Sequence, residues 1–150
     1  MKKLIFAASA LVLSVSLVAA ADDPIAVRQA LMESNAASAG VAAAMLKGEM
    51  DYSPVVAKAA INALHATALA FGDYFPEGSE TGGDTTASPK IWENMEGFQE
   101  AVTKFQTDSA AAAEASGKDG PADLEAFKAA ITPVLGNCRG CHEDFRIQRN

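Results

Sequence analysis

The stretch GPADLEAFKAAITPVLGNCRGCHEDF, from Gly120 to Phe145, decides the predicted fold. Its apolar residues, one cysteine and one histidine recur at steps of three and four, the spacing of a helix face that packs against other helices. These positions are Leu124, Phe127, Ile131, Leu135, Cys138, His142 and Phe145. Cys138 and His142 therefore lie on the inward face of a predicted helix. Pro133 lies within it, and we expect this proline to bend the helix or to break one turn ahead of the cysteines.

Three segments upstream have the same helical spacing, and no segment is typical of a strand. Each begins with a capping side chain followed by proline, which favours a first helical turn; these pairs are Asp23–Pro24, Ser53–Pro54 and Ser88–Pro89. Each ends at a glycine, namely Gly48, Gly72 and Gly117. The Gly-, Thr- and Ser-rich stretch Pro76–Pro89 is the one long loop. The sequence therefore predicts an all-α fold, an antiparallel up-down-up-down four-helix bundle.

The first 21 residues are typical of a secretory signal peptide. Two lysines precede the apolar run Leu4–Val18, and Ala20 or Ala21 suits cleavage. The run is shorter than the roughly 20 residues of a membrane span, so we expect removal rather than stable membrane insertion, an uncleaved anchor being the alternative. Residues 22–150 then form one exported domain.

The chain is acidic, with 19 Asp and Glu residues against 12 Lys and Arg residues. This charge argues against nucleic acid as a partner, because phosphate binding needs positive patches. It suits a basic protein partner, since opposite fields speed encounter, although it also keeps an exported protein soluble. No acid–base pair or activated nucleophile indicates an enzyme.

The motif Cys138–Arg139–Gly140–Cys141–His142 contains both cysteines of the chain. Thiol–disulfide oxidoreductases use Cys-x-x-Cys at a helix that follows a strand, and zinc needs about four ligands, with only His65 left as a distant partner. A structural disulfide across so short a loop would constrain the unfolded chain little. Covalent haem c needs two thiols spaced for its two vinyl groups and a histidine that reaches the iron. The helical setting and the export signal, which indicates the periplasm, favour haem c.

The group on the second side of such an iron would decide the function. Methionine there gives low-spin iron suited to electron transfer, whereas an open apolar position gives high-spin iron that binds small gases. The candidates are Met32, Met45, Met50, Met95 and His65. Met32 shares its helix face with small Ala36 and Ala39, which leave room for a flat macrocycle. A buried methionine is nevertheless more commonly core filler than a ligand, so spacing alone leaves the choice open.

The chain resembles the class II cytochromes c, the cytochrome c′ family, over the whole predicted mature domain. The resemblance rests on VRQALMESN (Val27–Asn35), SPKIW (Ser88–Trp92) and VLGNCRGCHEDFR (Val134–Arg146). It implies one covalent haem c, bound through Cys138 and Cys141 with His142 as an axial ligand.

Four segments, LMESN, LKGE, SPKIW and CHEDFR, look closer to the low-spin subgroup of that family. This implies Met32 as the second axial ligand and a periplasmic electron-transfer protein with redox protein partners. The alternative that the resemblance implies is a high-spin cytochrome c′ that binds NO or CO. By the same resemblance, Arg28 and Arg146 are candidate contacts of the haem propionates, since arginine suits carboxylates. The many alanines of the first two predicted helices are compatible with a homodimer, which the sequence leaves open.

Overall fold

The computed structural model describes residues 23–148. The predicted signal peptide, residues 1–21, lies outside them. Four long helices dominate: α1 (Pro24–Lys47), α2 (Pro54–Phe71), α4 (Met95–Ser116) and α5 (Leu124–Phe145). A 3₁₀ turn (Gly72–Tyr74) and a one-turn helix, α3 (Lys90–Glu93), lie between α2 and α4. Within this described part there is no strand, only an isolated bridge between Ala87 and Arg146. The predicted four-helix bundle is confirmed.

The helix ends follow from local chemistry. Asp23 caps α1, because its Oδ1 accepts a hydrogen bond from the Ile25 backbone N–H at 2.9 Å. Gly48 ends the helix with a φ of 73°, a left-handed conformation that glycine adopts at little steric cost. Asp123 caps α5 in the same way as Asp23, through the Ala126 N–H at 2.8 Å.

The predicted third helix is wrong in its continuity. The chain breaks at Asn94, which has φ −136° and ψ 63° and separates α3 from α4. The Asn94 side chain then caps α4 by accepting a hydrogen bond from the Gly97 N–H at 3.1 Å. Asparagine competes for backbone hydrogen bonds and so favours such caps over helix interiors. The apolar spacing continues across the break, from Ile91 to Phe98, and therefore does not reveal it.

At Pro133, where we expected a bend or a break, the helix does not break. The helix α5 runs without interruption from Leu124 to Phe145. Proline removes one N–H, which leaves the carbonyl of Ala129 without its helical partner. Ala129 is exposed, so water can satisfy that carbonyl. The helix therefore carries Cys138 and His142 as a direct continuation of its buried upstream face.

The core is divided into two clusters. The first joins α1, α2, α4 and α5 and includes Met45, Ile61, Leu64, Phe127 and Ile131, each at most 1% exposed. The second cluster consists of Phe75, Ile91, Phe98 and Val102. Helices adjacent in the chain pack along their lengths, whereas α1 meets α5 over a much smaller surface. The bundle is therefore loosest between its first and last long helices.

The segment Pro54–Tyr74 is long and apolar enough to cross a membrane by composition alone. In this fold its apolar residues Ile61, Leu64 and Ala68 are buried against the neighbouring helices. The same composition is common in core helices of bundles.

Gly120 allows a tight backbone approach ahead of α5. Its φ is 94°, and an added Cβ would collide with the carbonyl oxygen of Pro54. We predict that Gly120→Ala lowers the free energy of unfolding by about 1–3 kcal/mol. Gly40→Ala, in α1 with open space around the new methyl group, should instead raise it by about 0.5–1 kcal/mol. Urea unfolding of both variants checks this, and equal effects at the two positions would contradict it.

Candidate functional site

A cavity of about 440 Å³ lies among α1, α4, α5 and the loop after α2. This volume is within the usual range of small-molecule and cofactor pockets. Its walls are mainly apolar, with Phe71, Phe75, Phe98, Phe105 and Phe145 among the lining residues. The rings contact one another: Phe75 and Phe98 have centroids 4.5 Å apart, and Phe98 and Phe145 5.5 Å apart. The second core cluster therefore forms the apolar wall of the cavity.

The α5 side of the cavity carries the Cys-x-x-Cys-His motif. Cys138, Cys141 and His142 all line it, and both cysteines are free and half-buried. Upstream, Phe127 and Ile131 on the same face are fully buried. The change from buried to half-buried marks the level at which this face of α5 begins to line the cavity.

Burial controls the chemistry of the thiols. It raises the pKa of Cys141 to about 11, with smaller contributions from Cys138 and Asp144. Burial also raises the pKa of Cys138. Thiol–disulfide enzymes need the thiolate, usually activated at a helix N-terminus, but this motif lies near the C-terminal end of α5. The setting therefore disfavours the oxidoreductase alternative.

The zinc alternative lacks donors. Across residues 23–148, no group of three or more His, Cys, Asp or Glu side chains could hold a metal ion. His65 lies elsewhere, with its Nδ1 3.1 Å from the hydroxyl of Ser109.

Burial lowers the pKa of His142, and Arg146 lowers it further. The imidazole is thus favoured in its neutral form, the form that binds a metal.

The α1 side of the cavity carries Met32, Asn35, Ala36 and Ala39. The other methionines that were candidates for the second axial ligand of the iron lie away from this cavity. Met45 is fully buried in the first core cluster, and Met50 is 41% exposed in a turn. Met95 packs against the second cluster and does not line the cavity. Among the methionines within residues 23–148, only Met32 lines the cavity.

Arg28 is buried, not a surface residue at a helix end, with an exposure of 4%. Its Nη1 donates to the carbonyl of Tyr74 at 3.0 Å and to the hydroxyl of Ser79 at 2.9 Å, and its Nη2 donates to the Ser79 carbonyl at 2.8 Å. The guanidinium carbon lies 4.7 Å from the centre of the Phe75 ring and 5.7 Å from that of Trp92. Arg28 therefore fastens the long loop to α1 at the edge of the cavity.

Arg146 has an exposed side chain and lies at the cavity lining. The backbone around it ties the end of α5 to the loop: the Ser88 N–H donates to the Phe145 carbonyl at 3.0 Å, and the Ile147 N–H to the Thr86 carbonyl at 2.8 Å. Arg28 and this backbone pairing together hold the loop against the cavity.

Sequence reasoning missed three contributors to the site. The lining also includes the loop residues Thr85, Thr86 and Ala87, the amide side chains of Asn35 and Asn137, and the ring of Phe105. The apolar spacing of the third predicted helix already included Phe105, but spacing cannot separate a cavity wall from a closed core. No sequence signal indicated the two amides or the loop.

Known proteins match this chain over most of its length. The family described as Cytochrome C′ matches residues 23–146. The cytochrome c′ of Rhodopseudomonas palustris is 36% identical over 143 residues, 95% of this chain and 94% of that protein. A solved structure of cytochrome c′ from Rhodopseudomonas palustris is 36% identical and matches with a TM-score of 0.77, covering 87% of this chain and 100% of the other.

Two further matches are a relative with a different name and a second solved structure. A cytochrome c-556 of Agrobacterium tumefaciens (strain II Chrys) is 34% identical over 122 residues, covering 81% of this chain and 95% of the relative. A solved cytochrome c′ described as having an unusual ligand-controlled dimer dissociation is 30% identical, with a TM-score of 0.72, and covers 83% of this chain and 95% of its own.

Replacing Arg28 should loosen the loop. In Arg28→Lys the charge remains, but the planar fork that bonds several acceptors is lost. We predict that the free energy of unfolding falls by about 1–3 kcal/mol, since buried carbonyls lose their donors. Limited proteolysis should then cut between Glu77 and Asp84 sooner. Arg146→Lys, at an exposed side chain, is the control and should change stability by less than about 0.5 kcal/mol. Equal stability of the two variants would contradict the role given to Arg28.

Proposed function

The chain belongs to the cytochrome c′ family, and on that premise we propose that it is a periplasmic electron carrier with low-spin haem iron held between His142 and Met32. The observation that supports this is the position of Met32. Within residues 23–148 it is the one methionine that lines the cavity, and it shares that cavity with His142. A thioether opposite an imidazole favours low-spin iron and a raised reduction potential.

Members of this family carry one covalent haem c, and the cavity residues fit that group. Cys138 and Cys141 offer two free thiols on the cavity wall, and we assign them the two thioether bonds. His142 follows directly and is favoured as neutral imidazole, so we assign it the proximal iron position. When bound, the haem supplies one-electron redox chemistry.

The other residues position and insulate that group. The aromatic wall built by Phe71, Phe75, Phe98 and Phe145 excludes water and lowers the local polarity. Ala36 and Ala39 leave space beside Met32. A rigid bundle that presents the same two ligands in both oxidation states keeps the geometry change on electron transfer small. Arg28 uses its Nη groups on the loop, so a propionate contact would use its Nε–H, and Arg146 offers an exposed guanidinium.

The second candidate function is binding of NO or CO at high-spin, five-coordinate iron. The comparisons favour this candidate, because the matching family and both solved structures described above are named cytochrome c′. The cavity lining favours the first candidate. In the second, Met32 stands beside the iron without binding it, and the small residues Ala36 and Ala39 leave room for a gas molecule.

We infer redox protein partners that carry basic patches, because the chain holds 19 acidic residues against 12 basic ones. A homodimer through α1 is supported by the exposed small residues Ala30, Ala37 and Gly40. A solved relative is itself described by its dimer dissociation.

The visible spectrum separates the two functions. Ferrous wild-type protein should show sharp α and β bands that CO leaves unchanged, because the sixth position is filled. Met32→Ala should broaden these bands and allow CO to bind. Met50→Ala is the matched control, since Met50 is exposed in a turn, and it should leave the spectrum unchanged. Wild-type protein that binds CO at once would support the gas-binding function instead.

The cysteine assignment has its own test. Protein matured in the periplasm should show no titratable thiol and should keep haem after denaturation. Cys138→Ala and Cys141→Ala should each leave one thioether, and the double variant should release its haem in denaturant. Haem staining of a denaturing gel measures this. Two free thiols and no retained haem in the wild type would restore the oxidoreductase alternative.

A further inference from the structure

One buried polar side chain at the cavity has an oxygen without a hydrogen-bond partner within residues 23–148. Asn35, on α1, is 9% exposed and lines the cavity. Its Oδ1 is buried and forms no hydrogen bond with any described residue. A buried amide oxygen left without a bond costs about 1–3 kcal/mol, and most buried polar groups in proteins are satisfied. This exception marks the Asn35 amide as a group that still lacks a hydrogen-bond partner among these residues.

Three other polar side chains that line the cavity are already bonded. Thr85 accepts from the Ala87 N–H at 3.2 Å. Asn137 donates to Asp108 at 2.8 Å and to the Pro133 carbonyl at 3.1 Å. Arg28 bonds the loop, as described above. Asn35 thus differs from these residues because its side-chain amide oxygen forms no hydrogen bond in the described part of the chain.

Helix geometry places this amide beside Met32. The two residues lie three apart on α1, and residues three apart are neighbours on a helix surface. Side chains in helices lean toward the N-terminus, so that of Asn35 extends over the turn that contains Met32. The same chemistry occurs elsewhere in the chain: Gln99 Nε2 donates to the Met95 sulfur at 3.8 Å, across four residues of α4.

We propose that the Asn35 amide donates a hydrogen bond to the sulfur of Met32 when that sulfur binds the haem iron. This inference rests on the proposed function, because it requires Met32 as a ligand. A half-turn rotation of the amide exchanges Oδ1 and Nδ2 and brings the donor to the buried position. The hydrogen bond draws electron density from the sulfur. It therefore weakens donation to electron-poor Fe(III) more than to Fe(II), and raises the reduction potential.

The test is Asn35→Leu, a replacement of similar volume that cannot donate. Its reduction potential, measured by titration against a mediator of known potential, should fall below that of the wild type. The equilibrium constant for reduction should drop about three- to tenfold, the range expected for one hydrogen bond. Asn62→Leu makes the same change at an exposed position of α2, outside the cavity lining, and should leave the potential unchanged. An unchanged potential in a low-spin Asn35→Leu protein would overturn the inference while leaving the proposed function intact.

A double-mutant cycle separates a direct bond from a general effect of polarity. In the Met32→Ala background there is no sulfur, so Asn35→Leu should no longer lower the potential. The same drop in both backgrounds would overturn the inference. In the reduced wild-type protein, NMR should also show a nuclear Overhauser effect between the Asn35 side-chain amide and the Met32 methyl group, and its absence counts against the bond. A high-spin wild-type spectrum would overturn both the inference and the proposed function, which keeps the two failures distinguishable.

Discussion

The limited packing between α1 and α5 is the constraint on which the rest of the structure depends. A four-helix bundle that closed along its whole length would bury Cys138 and His142 in a continuous core, with no room for a macrocycle. Here α1 contributes small residues and Met32, α5 contributes the thiols and the imidazole, and the two helices meet over a small surface. The first core cluster, which contains Phe127 and Ile131, holds the remainder of the bundle together. The two core clusters therefore have separate roles: the first stabilises the bundle, and the second lines the cavity.

The gap between α1 and α5 leaves one side of the cavity open, and the long loop Pro76–Pro89 covers that side. Arg28 reaches this loop through hydrogen bonds to Tyr74 and Ser79, and the end of α5 pairs with the loop at Ala87. Burial lowers the pKa of Arg28, while Asp23 and Glu80 oppose that effect; arginine stays charged in such settings. A buried positive charge at the cavity edge stabilises an electron-rich group within the cavity. The residue that orders the loop would thus also contribute to the electrostatic environment of a bound haem.

The sequence predicted those parts that local chemistry decides. Asp23 with Pro24 and Gly48 gave the ends of α1, and the three–four spacing of α5 gave the face that carries Cys138 and His142. The haem c cofactor followed from a five-residue motif, and the family confirms it. The predicted continuity of the third helix was wrong, because the chain breaks at Asn94. At Pro133, where a bend or a break was expected, the helix does not break. Both outcomes depend on which backbone groups find a partner or water. Arg28 and Asn35 stand out for reasons that no spacing rule describes. Arg28 bonds residues 46 and 51 positions away, and Asn35 stands out only because it bonds none.

The central claim is that Met32 closes the sixth position of the iron opposite His142. Two functions within one family differ by that single bond, since a filled position favours electron transfer and an open one favours gas binding. The measurement that tests the claim most directly is the visible spectrum of the ferrous protein before and after addition of CO. The account predicts sharp α and β bands that do not change with CO. A single broad band that CO converts to a new spectrum would contradict it.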